Sequence, residues 1–284
     1  MTVHLQTRES TETDTGTYER LLQAIASGER PEPPNAWSST MAFASRALLR
    51  IKHVPEQMFD VTVFPIIFLL MFTYLFGGAI AGSTTDYLQF LLPGILVMTV
   101  AQITMYTGID LNNDIRKGIF DRFRTLPIWL PSALIGALLV DVIRYSMASV
   151  IMIALGLMLG FRPEGGVWGV GFAIVLVLIF SFSLSWIWTT FGLIVRSEKS
   201  LMMISFLVLM PLTFISNVFV EPETLPTWLQ GFVNSNPISI LATAVRGFMH
   251  GTGTWQQVAG VLLVSAIMTA IFAPLTMYLY RNKK

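Results

Sequence analysis

Six apolar runs divide the chain: Phe59–Ile80, Tyr87–Leu111, Pro131–Leu159, Trp168–Val195, Leu201–Val220 and Val258–Tyr280. Each supplies the roughly 20 apolar residues that cross a hydrocarbon core about 30 Å thick. Backbone groups in lipid must satisfy their own hydrogen bonds, so the runs predict six transmembrane helices and an all-α membrane fold. Pro65, Pro93, Pro211 and Pro274 fall inside runs, and each predicts a kink with freed carbonyls for neighbouring helices to cover.

The polar breaks predict the topology. Arg46, Arg50 and Lys52, then Arg116, Lys117, Arg122 and Arg124, then Arg196 and Lys199, and finally Arg281, Lys283 and Lys284 fall on one side. The other side has only Arg162 and Arg246 in its loops. Basic residues mark the cytoplasmic face, so both termini are expected there in a multi-pass protein of the cell membrane.

The segments outside the runs differ in kind. Residues 1–35 are polar, without the apolar core of a cleaved signal peptide, and predict a disordered cytoplasmic tail. Residues 36–54 place apolar positions at helical spacing opposite Arg46, Arg50 and Lys52, which predicts an amphipathic helix in the interface plane. Residues 36–284 then form one transmembrane domain. Gly77–Asp86 and Gly160–Gly166 read as short external turns and Ser197–Ser200 as a tight cytoplasmic link. The external segment 221–257 is long yet apolar, and predicts two short outer or re-entrant helices, Pro226–Val233 and Pro237–Met249.

Composition agrees and narrows the chemistry. Only 12% of the residues are charged and 54% are hydrophobic, against about a quarter charged in a soluble domain. Net charge is +1, which gives no basis for nucleic-acid binding. Cysteine is absent, so disulfides and thiolate chemistry are excluded, and His4, His53 and His250 lack metal-ligand spacing. The chain contains no Walker A pattern, no Gly-x-Ser-x-Gly elbow and no His-Glu-x-x-His. No ATPase or hydrolase site is legible, and no cofactor or metal is expected on this chain.

A few residues remain as candidates. Asp141 and Arg144 are intramembrane charges three apart on one helix face. They read as a structural ion pair, or as a polar lining or proton relay; the ion pair is favoured because a lone pair makes a poor relay. Asp110, Asn112, Asn113 and Asp114 read as helix exit and turn chemistry. Trp186, Trp188, Phe191, Met202, Met203 and Met210 mark a candidate apolar substrate path, with ordinary packing as the alternative. Between the second and third runs, Arg116, Lys117, Arg122 and Arg124 interleave with Phe120, Phe123 and Asp121. Two aromatics in so charged a loop fit a docking face, with the ordinary basic bias of a cytoplasmic loop as the equal alternative.

Three segments resemble one family. GIFDRFRTLPI (Gly118–Ile128) resembles the coupling-helix motif of type-2 ABC transporter permeases. Phe214–Gly251 is similar to the same family's external signature, carried by Leu225, Pro226, Trp228, Asn236, Pro237 and Arg246. Glu221-Pro222 departs from the aromatic-Pro pair of many members. The third segment is the amphipathic helix before the first span. Within the family the chain is most similar to the daunorubicin/doxorubicin-resistance type of actinobacteria. The resemblance implies an exporter permease for lipophilic or amphipathic drugs, lipids or glycolipids. It would pair with a second permease chain, identical or homologous, and with two copies of a cytoplasmic ATPase that holds ATP and Mg. Lys117, Gly118, Ile119, Phe120, Asp121, Arg122, Phe123 and Arg124 would dock in a cleft of that ATPase, and the short outer helices would close the external side. A membrane-embedded lipid enzyme and an ion-coupled carrier remain alternatives.

Overall fold

The computed structural model describes residues 19, 35–53, 55–119 and 131–282. These include α1 (Ala36–His53), α2 (Pro55–Met71), α3 (Gly77–Ala81), α4 (Thr84–Ile103), α5 (Met105–Arg116), α6 (Pro131–Leu159), α7 (Gly166–Ile194), α8 (Glu198–Phe214), α9 (Thr227–Ser235), α10 (Pro237–Met249) and α11 (Trp255–Asn282). A π-helical turn, Phe72–Phe76, joins α2 to α3. No strand occurs among the described residues. The N-terminal tail, apart from Glu19, and residues 120–130 lie outside them, and with them most of the predicted coupling segment.

Five helical stretches are long and apolar enough to span: Val63–Ala81, Thr84–Arg116, Leu134–Leu159, Gly166–Ile194 and Trp255–Asn282. The fifth predicted run is shorter than read. Its helix, α8, has 17 residues and stops at Phe214, because Ser216 and Asn217 turn the chain away from helix. At 1.5 Å per residue that is about 25 Å, slightly less than the hydrocarbon core. The first apolar run stays helical through Gly77–Ala81, so the external turn expected over Gly77–Asp86 begins only at Gly82, whose φ of 75° ends α3.

Thr84–Arg116 is the axis of the bundle, with 78% of its apolar window inside the protein, against 22% for the first and last spans. It is apolar on all sides, as a helix surrounded by other helices requires. Thirty-three residues make about 50 Å, so the polar end beyond Asp110 projects from the apolar layer. Gly108 and Gly192 let α5 and α7 cross at backbone contact, where a Cβ on either would strike the other helix's carbonyl oxygen. Helix α1 is docked rather than merely interfacial. Ser39, Thr40 and Ala44 are buried, and a Cβ on Gly136 of α6 would lie 2.8 Å from the Thr40 carbonyl oxygen. Asn35 caps this helix, its side chain accepting from the Ser38 N–H at 2.6 Å.

Candidate functional site

Polar side chains gather at two levels of the bundle. The first lies toward the end that carries Arg116, Lys117, Arg196, Lys199 and Arg281. Helix α5 presents Thr107 and Asp110 on one face, and α6 presents Asp141, Arg144 and Tyr145. Arg144 contacts Asp141 at 3.3 Å and Asp110 at 3.5 Å, so one guanidinium joins carboxylates from two helices. Thr107 donates to the other Asp141 oxygen at 2.6 Å. The Tyr145 hydroxyl lies 3.2 Å from Thr107 and 2.6 Å from Ser185 on α7, and Ser185 donates to the Ser181 carbonyl. Asp141 and Arg144 are buried, whereas Asp110 keeps partial exposure.

This arrangement corrects two readings of the sequence. Asp110 and Asn112 do not mark a helix exit, since α5 continues to Arg116. Asn112 donates to the Gly192 and Val195 carbonyls at 3.0 and 2.6 Å, covering the C-terminal end of α7. The Asp141/Arg144 pair is not isolated either, because Asp110, Thr107, Tyr145 and Ser185 extend it across three helices. The helical spacing of Thr107, Asp110 and Asp114 was the signal for the first; nothing in the sequence marked Tyr145 or Ser185.

The second level is at the opposite end, around Arg246 of α10. Its guanidinium donates to the Phe90 carbonyl at 3.1 Å and the Asn217 carbonyl at 3.0 Å, and stacks over the Phe90 ring at 3.8 Å. Burial draws this guanidinium below its ordinary range, to about 10, against the opposing field of Glu221. It is still a cation at neutral pH. Asn236 joins two helix ends. Its oxygen accepts from Ile238 N–H at the start of α10, and its amide donates to the Leu212 and Ile215 carbonyls at the end of α8. Pro93 has no N–H to offer the Gln89 carbonyl. The Nε2–H of His250 fills that gap at 3.0 Å.

The remaining candidates separate. Trp188 is buried and donates to Thr104 at 2.9 Å, as a strut between α7 and the α4–α5 junction. Trp186 is buried against Leu134, Leu138 and the last span. Met203 and Met210 lie instead on the exposed face of α8. The Trp and Met side chains therefore do not converge. Leu225 precedes α9, Pro226 caps its start without a side-chain bond, and Trp228 on its first turn is exposed. Pro237 is the first residue of α10, as expected from its fixed φ. Lys117 and Gly118 end α5, Gly118 with a φ of 66° that favours glycine, and Ile119 is half-buried. Phe120, Asp121, Arg122, Phe123 and Arg124 lie outside the described residues.

A bundle of apolar spans with a docked amphipathic helix and a short-helix layer at one end is an all-α membrane domain, and residues 38–250 of it match the family described as ABC-2 type transporter. The chain belongs to that family and is a multi-pass protein of the cell membrane. It is 50% identical over 283 residues to the Daunorubicin resistance ABC transporter permease protein DrrB1 of Streptomyces coeruleorubidus, covering 100% of this chain and 99% of that one. It is 24% identical over 244 residues to the "Probable doxorubicin resistance ABC transporter permease protein DrrC" of Mycobacterium tuberculosis, covering 83% and 86%.

Proposed function

We propose that this chain is the membrane half of an exporter that moves anthracycline-like drugs, of the daunorubicin type, out of the cytoplasm or inner leaflet. The observation that carries the reading is end-to-end identity of 50% with a daunorubicin resistance permease.

In this reading the chain itself is non-catalytic. A separate ATPase, in two copies with ATP and Mg, works on two permease chains, identical or homologous, with both termini in the cytoplasm. Residues 117–124 are the contact. They follow α5 directly and precede α6, and the Asp110–Arg144–Asp141 junction ties those two helices a short way above the segment. A push on the segment then moves α5 and α6 as one piece. The layer held by Arg246 and Asn236 is the external gate. The alternative of a lipid enzyme finds little support, since the Thr107, Tyr145 and Ser185 hydroxyls are engaged with neighbouring side chains.

The test is ATP-dependent daunorubicin uptake into inside-out vesicles containing the chain and its partner ATPase. Arg122→Glu and Phe123→Ala are expected to abolish uptake while membrane insertion persists and ATP hydrolysis continues uncoupled. Normal uptake by both variants would refute the role of the segment. Absence of uptake by the parent complex would refute the substrate.

A further inference from the structure

Gln102 stands apart from the other polar residues between positions 89 and 112 of the central span. Gln89 bonds the Gly160 carbonyl and the Arg162 N–H, Thr99 bonds the Ile95 carbonyl, and Thr104, Thr107 and Asn112 each bond a neighbour. The Gln102 carboxamide has no hydrogen-bond partner among the described residues. It sits near the middle of Thr84–Arg116, some 27 Å from one end and 21 Å from the other by helical rise. A carboxamide carries two donors and an acceptor oxygen, and leaving them unmet in hydrocarbon costs several kcal/mol.

The side chain faces a cleft of about 270 Å³ between α2, the central helix and α8. Phe64, Tyr106 and Phe206 line it, together with Pro65 and Thr99. Phe64 and Phe206 are 44% and 59% exposed, and Phe64 packs against Phe68, so both present ring surface to the cleft. An acyl chain would suit the rings but would leave the amide unmet. A flat aromatic molecule bearing carbonyl or hydroxyl groups satisfies both, by stacking and by hydrogen bonding. The volume is just under the usual lower bound of about 300 Å³ for small-ligand sites. That size suits the ring portion of a ligand whose remainder extends through the open side.

We propose that Gln102, with Phe64, Tyr106 and Phe206, forms a subsite that binds the flat, hydrogen-bonding ring face of an amphipathic aromatic substrate. The inference rests on the export reading for the class of ligand. Tyr106 lies one turn beyond Gln102, next to Thr107, so an occupant of the cleft touches the helix that enters the Asp141–Arg144 junction. Binding and the junction thus share one rigid element.

The experiment uses the permease with its ATPase in phosphatidylethanolamine–phosphatidylglycerol vesicles, with daunorubicin as probe and quenching of its own fluorescence as readout. Gln102→Leu is expected to weaken binding about fivefold, the worth of one neutral hydrogen bond, and Phe206→Ala about tenfold. Without drug, Gln102→Leu should melt at a higher temperature than the parent, because it removes the unmet amide; this also shows that the variant is folded. Undiminished affinity in Gln102→Leu overturns the proposal. So does an unchanged affinity accompanied by loss of cross-linking between two copies, which would give the amide to a second chain. A parent complex that binds no daunorubicin refutes the subsite, whereas one that binds but does not export it refutes the export reading alone.

Discussion

Replacing Arg144 with methionine leaves Asp141 and Asp110 facing each other across α5 and α6 with no guanidinium between them. The contacts at 3.3 and 3.5 Å each correspond to about 5 kcal/mol at an effective dielectric constant of about 20, before desolvation is counted. Desolvation of buried Asp141 and Arg144 and of partly exposed Asp110 offsets most of that, so the intact junction contributes little net stability. Removing the cation alone is another matter, because the desolvation cost of the carboxylates remains; the loss should be about 3–5 kcal/mol. Asp141→Asn should cost only about 1–2 kcal/mol, since Arg144 keeps Asp110 and the amide oxygen still accepts from Thr107. The double variant Asp141→Asn/Arg144→Met should lose at least about 1 kcal/mol less than the sum of the single losses. Reversible unfolding in mixed detergent–SDS micelles, followed by circular dichroism, measures all three. If the single losses add to within about 0.5 kcal/mol, the residues are not energetically linked and the rigid-joint argument fails.

Two further predictions concern other levels of the bundle. Arg246→Lys should destabilise by about 2 kcal/mol in a thermal melt, because an ammonium cannot fork to the Phe90 and Asn217 carbonyls while stacking on the Phe90 ring. Gly108→Ala should cost about 1–3 kcal/mol, since its Cβ meets the Trp188 backbone, whereas Gly171→Ala, with open space around it, should be neutral or stabilising by about 0.5–1 kcal/mol; the two melting temperatures should move in opposite directions or differ clearly.

The spans were legible because crossing a bilayer is a one-dimensional requirement on apolar length. Their ends were less so. Asp110-Leu111-Asn112-Asn113-Asp114 has the composition of a turn, yet Asp110 and Asn112 find tertiary partners on α6 and α7 that keep the helix going. Local turn preference lost to contacts made about 34 and 80 residues away. The Asn236-Pro237 pair announced a helix start, and the structure agrees. Its second task, closing the end of α8, depends on a packing that no local pattern encodes. The Trp and Met stripes on α7 and α8 looked equivalent in sequence because lipid and protein interior are equally apolar. Only packing separates buried Trp188 from exposed Met203. The unmet amide of Gln102 was invisible for the same reason.

The bond from His250 to the Gln89 carbonyl spans 161 positions of sequence. It therefore bears on the order in which the protein is manufactured. The second span enters the bilayer with a proline-made gap in its hydrogen bonding, and the residue that closes the gap is not synthesised until five of the six apolar runs have been threaded. Until then the N-terminal half of the central helix has an incomplete backbone and no lid. Chains truncated before residue 250 should accordingly insert but remain substrates for membrane quality-control proteases, and the segment from His250 to Lys284 becomes a commitment step rather than an appendage.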